Sequence, residues 1–290
     1  ALAGTASKEQ LQLLGVDVSA INNAQDLAAV QAALAAKPDA DIDSLSELQS
    51  TVNNALGSIA AALAKIQAYA DNSANPAPDA SDYAAVGVSN LGGAGQPTVA
   101  ALNSALADPD IQAAQLPNAA AVQTLAAAYA DITAAADGVD GNTSGAAVPT
   151  QADYQAIGIN GIDSAAKAAL LSDVIDGKSL ADIDTVPEVQ ALANAVQAVL
   201  AYDDPVADAA TAPTAAQINA LIAGQSVGGS AVPAVTDDTL AAVQQAIDAA
   251  NSDGTPLATQ QELANVVQAA LSAQATAINK IRAYAANDIN

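Results

Sequence analysis

Cysteine, histidine, methionine, tryptophan and phenylalanine are all missing from these 290 residues. Without thiols there is no disulfide staple, no thiolate nucleophile and no soft metal ligand. Without imidazole no side chain carries an ordinary pKa suited to general base work near neutrality. Carboxylate pairs are the one acid–base route left, and no pair of acids stands out beside a supporting apolar pocket. The chain is therefore read as non-enzymatic. Lack of cysteine does not fix a compartment, but it suits long repetitive secreted proteins, in which a stray thiol would cross-link neighbouring chains.

Aromatic residues make up only 2% of the chain, so Ala, Leu, Val and Ile must do the burying. Small side chains fill space through closely packed helices rather than around one bulky centre. Alanine is also the strongest helix former, because it loses no side-chain entropy on entering a helix. An all-α fold is predicted. Positive charge is scarce too: 7 Lys and Arg stand against 31 Asp and Glu, a formal net charge of −24. Such a chain is repelled by nucleic-acid phosphates and by anionic lipid. No apolar run reaches the ~18 residues that a spanning helix needs, so membrane insertion is not expected. Ala1-Leu2-Ala3-Gly4 shows neither an initiator methionine nor a signal pattern, which suggests an excised segment or a processed chain.

What is present is repetition. Pro78 to Val88 (PDASDYAAVGV) returns as Pro149 to Ile159 (PTQADYQAIGI), and a version without Pro or Tyr runs from Ser7 to Val16. A fourth begins at Pro213-Thr214-Ala215-Ala216-Gln217-Ile218 and then diverges. Each reads as a short helix, with a cap at Ser7, Asp79, Thr150 or Thr214 and a side-chain acceptor three residues on. Gly15, Gly87 and Gly158 stop the first three where a left-handed residue is wanted. Tyr83 and Tyr154 are expected to pack inward as the largest anchors, with their hydroxyls reaching water.

A second element, Ala40 to Gln49 (ADIDSLSELQ), returns as Ala181 to Gln190 (ADIDTVPEVQ), with a third copy at Thr259-Gln260-Gln261-Glu262-Leu263 and a degraded one from Asn118 to Val122. Ser44 with Glu47, Thr185 with Glu188 and Thr259 with Glu262 have the spacing of capping boxes that open a long third helix. The third helix carries Leu45, Leu48, Val52, Leu56, Ile59, Leu63 and Ile66 at alternating helical spacing, a one-sided apolar stripe. Its ending, Lys65-Ile66-Gln67-Ala68-Tyr69-Ala70, reappears as Lys280-Ile281-Arg282-Ala283-Tyr284-Ala285. Lys65 and Lys280 fall late in their helices, where a cation complements the dipole. The second and third copies end sooner, near Ala136 and Tyr202. Between the two elements lies a middle helix anchored by Leu27, Val30 and Leu34, by Val99, Leu102 and Leu106, by Leu170, Val174 and Ile175, and by Leu240, Val243 and Ile247.

The predicted organisation is a lengthwise tandem array of about four three-helix bundles, over residues 1–77, 78–148, 149–212 and 213–290. The joins at 73–77, 137–148 and 203–212 are rich in Gly, Pro, Asp and Ala, as linkers are. The run from Ser7 to Ala36, with its Gly15-Val16 turn and Ile21-Asn22-Asn23-Ala24 entry to the second helix, resembles the GA and GA-like three-helix modules of large bacterial surface proteins. The Tyr-x-x-x-Gly-[Val/Ile] element and the Lys-Ile-x-Ala-Tyr-Ala ending are similar to tandem helical repeats of giant Asp- and Ala-rich Gram-negative adhesins. The resemblance implies fold and an extracellular, cell-surface setting. GA modules proper can bind serum albumin, but no binding face matches here residue by residue, and the Gly-rich stretch from Ala223 to Val235 departs from the pattern.

One cation-binding pattern occurs. Asp39, Asp41 and Asp43 alternate as in a calcium loop, but position six is Ser44 rather than Gly, and position twelve is Ser50 rather than a bidentate Glu. Asp182 and Asp184 repeat part of it, and 137–142 is a looser cluster. Against calcium stands the ordinary preference of acids for helix N-termini. No cofactor is expected, with calcium at these loops the exception. Every recurrent residue thus has a capping or packing role, which points to a structural spacer in a secreted, adhesin-like surface protein whose partners are its own neighbouring repeats. Two alternatives remain: a subunit that assembles into a filament or surface layer, and a module that docks a host or matrix protein through one helix face.

Overall fold

Polar caps, glycine stops and alanine-rich interiors divide the chain into helices, and the computed structural model describes residues 6–138, 148–202, 211–250 and 257–287. The order is short, middle, long, four times over. The first repeat holds α1 (Lys8–Leu13), α2 (Ala24–Ala35) and α3 (Leu45–Asp71). The second holds α4 (Ala80–Ala85), α5 (Val99–Leu106) and α6 (Ala119–Ala135), and the third α7 (Gln151–Ala156), α8 (Ala165–Asp176) and α9 (Val186–Tyr202). The fourth holds α10 (Ala215–Ile222), α11 (Asp237–Ala250) and α12 (Gln260–Asn287). Short 3-10 turns at Asp39–Asp41, Ala113–Gln115 and Leu180–Asp182 lead from middle to third helix. Among the described residues the fold is all-α but for one antiparallel ladder inside the Gly-rich stretch, β1 (Ser226–Val227) with β2 (Ser230–Ala231). Gly228 and Gly229 join these strands at φ 59° and 81°, the doubly left-handed conformation of a type I′ turn, which only glycine enters freely.

The chain divides into two compact units, residues 1–130 and 131–290. In the first, Leu11, Val16, Val18, Ile21, Val30, Leu34 and Val52 form a buried cluster where α1 and α2 meet the first half of α3. At about 1.5 Å per residue α3 is roughly 40 Å long, more than one bundle needs. Its second half packs on α4, α5 and the Ala113–Gln115 turn, with Ile59, Ala62, Ile66 and Ala70 buried. The apolar stripe therefore serves two successive repeats from one helix. Leu45, at its start, is 51% exposed. In the second unit α9 packs on α8, α10 and α11, while α12 packs on α11, α10, α8 and the small hairpin. Tyr154, Leu170, Val174, Val189 and Val196 are buried there, as are Ile218, Leu221, Val243, Ile247, Leu263 and Val267. All three of the expected anchors of α8 are buried, whereas Leu27, Val99 and Leu240 at the starts of their helices are only half-buried.

Candidate functional site

The recurrent polar residues gather at helix ends. Ser44 N–H donates to Glu47 Oε2 at 3.1 Å, and Glu47 N–H returns to Ser44 Oγ at 3.3 Å. Thr185 N–H donates to Glu188 Oε2 at 3.0 Å. Thr259 N–H donates to Glu262 Oε2 at 3.2 Å, with Glu262 N–H to Thr259 Oγ1 at 3.1 Å. These contacts satisfy N–H groups that a helix start leaves without intrahelical partners. Asn118 does the same for α6, accepting from Ala121 N–H at 3.0 Å.

Gly15, Gly87 and Gly158 have φ of 91°, 85° and 90°. Each closes a Schellman turn. Gly15 N–H bonds Gln12 O at 3.0 Å and Val16 N–H bonds Leu11 O at 3.1 Å, a pairing repeated by Gly87 to Ala84 with Val88 to Tyr83, and by Gly158 to Gln155 with Ile159 to Tyr154.

Two recurrent devices are invisible in local sequence. In every repeat a polar residue of the middle helix contacts the carbonyl just before the first-helix cap. Gln31 Nε2 donates to Ala6 O at 2.9 Å, Asn103 Nδ2 to Pro78 O at 3.0 Å, Ser172 Oγ to Pro149 O at 2.9 Å, and Gln244 Nε2 to Pro213 O at 2.9 Å. Three different residue types fill one role, so no motif announces it. The second device clamps the turn after the glycine. Gln49 Oε1 accepts from Asp17 N–H at 2.6 Å while its Nε2 donates to Asp17 O at 3.2 Å. Gln190 grips Asn160 the same way, at 2.8 and 3.2 Å, and Gln261 Nε2 reaches Ser226 O at 3.2 Å. Gln49 and Gln190 stand at matching places in the repeated ten-residue element. That recurrence was the available signal.

Tyr83 and Tyr154 are both 0% exposed, but their hydroxyls do not reach water. Tyr83 donates to Asn103 Oδ1 at 2.6 Å and Tyr154 meets Ser172 Oγ at 2.9 Å, so each joins the middle-helix contact described above. Burial pushes both phenols well above their usual range. Lys65 also departs from the helix-dipole expectation. Its Nζ lies 2.5 Å from Asp82 and 3.6 Å from Asp79 at the start of α4, tying one repeat to the next, and the hydrogen bond to Asp82 raises its pKa. Gln67 Nε2 donates to Leu116 O at 2.7 Å, and Asp71 Oδ1 accepts from Ala113 N–H at 2.8 Å.

The acidic loops hold pairs of carboxyl groups. Asp43 has its pKa raised by its hydrogen bond to Glu47, while Ser44 is the first cause of the lowered value at Glu47. Asp184 is raised, first by burial and then by Glu188. Asp41 and Asp43 are exposed; the Asp39 side chain lies outside the described residues, as do residues 139–142 of the looser acidic cluster and most of the joins at 137–148 and 203–212. Among the described residues no three carboxylates gather as a metal ion requires. An open groove of about 450 Å³ in the first unit is lined by Ala28, Ala32, Ile59, Ala84, Val86 and Gln123, without a charged group. A second, also about 450 Å³, sits in the other unit beside Lys178, Asp182 and Glu188. Lys178 is drawn partly inside, donating to Ala220 O at 3.0 Å, and burial lowers its pKa. No helix among the described residues is long and apolar enough to cross a membrane. Comparisons with protein-family models, with curated proteins and with solved structures return no match to this chain.

Proposed function

We propose that the chain is a non-catalytic spacer, a lengthwise tandem array of four three-helix repeats from a secreted bacterial surface protein of adhesin type. The observation that carries the reading is the internal use of its recurrent polar residues. Most of the residues that recur are spent on caps, on the carbonyl ahead of each first helix, on the glutamine clamps and on ties between successive repeats, with Lys280 and Tyr284 on the exposed end of α12 the exceptions. A site repeated for a ligand would keep the same donor or acceptor aimed outward in every copy. The high negative charge then serves solubility and mutual repulsion of long chains. Small-angle scattering extrapolated to zero concentration tests the shape: a lengthwise array exceeds the ~19 Å radius of gyration of a single globule of this length, and a value near that figure overturns it. Surface plasmon resonance of the full chain against serum and matrix proteins tests the role. No saturable binding is expected. A saturable partner would replace the spacer with a docking module.

A further inference from the structure

Asn160 and Gly161 form the one Asn–Gly pair in the chain, and the glycine is imposed by packing. Gly161 stands at φ 81°, and a Cβ there would lie 1.0 Å from Gln197 Nε2. Gln197 of α9 approaches the turn so closely that no side chain fits. Residue 161 therefore lacks the side chain that would shield its backbone nitrogen, directly after an exposed asparagine. That nitrogen is the nucleophile that closes a five-membered imide on an asparagine side chain.

The glutamines of α9 also hold the reacting atoms apart. Asn160 N–H donates to Gln190 Oε1 at 2.8 Å, and Asn160 O accepts from Gln190 Nε2 at 3.2 Å and from Gln197 Nε2 at 3.1 Å. Asn160 has a negative φ, and such a residue turns its N–H and C=O side by side towards one partner only when extended. Ring closure needs the opposite. Rotation about the Cα–C bond must bring Gly161 N to the side of Asn160 Cβ, and that rotation carries Asn160 O away from both glutamines. At the matching positions the first repeat has Asp17 and Val18, and the second Ser89 and Asn90, so neither repeats the pair.

We propose that Asn160 is a self-modification site, at which opening of the Gln190 and Gln197 contacts commits the chain to loss of ammonia and an irreversible change of backbone. Gly161 N loses its proton and bonds Asn160 Cγ, the Cγ–Nδ2 bond breaks, and ammonia leaves carrying that proton. Water then opens the imide. Cleavage at Cγ gives aspartate, and cleavage at the main-chain carbonyl gives isoaspartate, whose backbone runs through the side chain. Aspartate keeps the clamp, as Asp17 keeps that of Gln49. Isoaspartate places an extra carbon between the N–H and the C=O, so Gln190 no longer grips both. The turn between α7 and α8 then stays released from α9. Water is the only co-reactant.

Incubation of the full chain at neutral pH, followed by peptide mapping that separates aspartate from isoaspartate, tests it. In the urea-unfolded chain Asn160 is expected to be modified fastest of all the asparagines. In the folded protein its rate should fall about 100-fold, because three hydrogen bonds must open together. Gln197→Ala should recover about fivefold of that and Gln190→Ala about thirtyfold, the changes in opening equilibrium set by one and two net hydrogen bonds. Asn160→Asp should melt as wild type does, whereas the purified isoaspartyl form should melt lower. Folded wild type modified as fast as the unfolded chain overturns the proposal, and this comparison holds should a variant fail to fold. So does another asparagine reacting first in urea, a variant with native circular dichroism and no acceleration, or an isoaspartyl form that melts with wild type.

Discussion

Ser172 lies at the centre of the third repeat, 5% exposed, with its Oγ 2.9 Å from the Tyr154 hydroxyl, 2.9 Å from Pro149 O and 2.8 Å from Ala168 O. Serine has one proton and both carbonyls can only accept, so Tyr154 must donate to Ser172 while Ser172 donates to a carbonyl. Ser172→Ala leaves two buried groups stranded, the tyrosine hydroxyl and the Pro149 carbonyl. At about 1–3 kcal/mol for each unsatisfied buried group, the expected loss is about 2–6 kcal/mol. Tyr154→Phe removes only the donor and leaves Ser172 satisfied, a loss of about 1 kcal/mol, the size of one net hydrogen bond. The double variant is the informative one. It strands only the Pro149 carbonyl, so it should be more stable than Ser172→Ala alone, by about 1 kcal/mol. Adding a second deletion to a first should, in other words, restore stability. Urea unfolding followed by far-ultraviolet circular dichroism at a common m-value measures all three. A double variant as unstable as the two single losses combined would show that the hydroxyls act independently, and would refute the chain of donors described here.

Other perturbations have equally definite outcomes. A Cβ at Gly161, whose φ is 81°, would lie 1.0 Å from Gln197 Nε2, so Gly161→Ala must displace the Gln197 bond to Asn160 O. Gly15→Ala meets only the Leu45 side chain, at 3.5 Å or beyond, and should cost just the left-handed penalty of about 1–2 kcal/mol, leaving Gly161→Ala the more damaging in thermal melts. Thr185→Ala should cost about 1 kcal/mol as a lost cap, less than additively with Glu188→Ala, and the wild-type melting temperature should not respond to chelator or added calcium. The Asp79 carboxyl is held down at about 2, first by the Ser81 hydroxyl. A depressed acid stabilises fully above its unfolded pKa of about 3.9 and loses that contribution as pH falls toward 2, so Asp79→Asn should flatten the acid limb of the melting curve between those values.

The caps and glycine stops were legible because their partners lie within five residues. Ser44 with Glu47 and Gly15 after Leu11 are local geometry, and spacing alone specifies them. The end expected near Ala136 falls at Ala135, while the residues after Tyr202 lie outside the described ones. The Gln49 clamp on Asp17 and the Gln31 bond to Ala6 join residues 32 and 25 positions apart, so periodicity could not reveal them. Tyr83 looked amphipathic in sequence, and only the fold shows that Asn103 waits for its hydroxyl. Lys65 reads in sequence as a complement to its own helix because its partners, Asp79 and Asp82, sit in the next repeat. The hairpin at Ser226–Ala231 was hidden in a stretch legible only as a departure from pattern.

Because α3 gives its first half to one repeat and its second half to the next, the sequence repeat and the packed module are out of phase. A deletion or duplication cut at Pro78 leaves Ile59, Ile66 and Lys65 facing nothing. A crossover inside the third helix, between Val52 and Ile59 and at the matching register of α12, exchanges complete interfaces instead. Repeat number in a gene encoding such a chain can then grow or shrink by recombination within helices, without any junction having to be rebuilt.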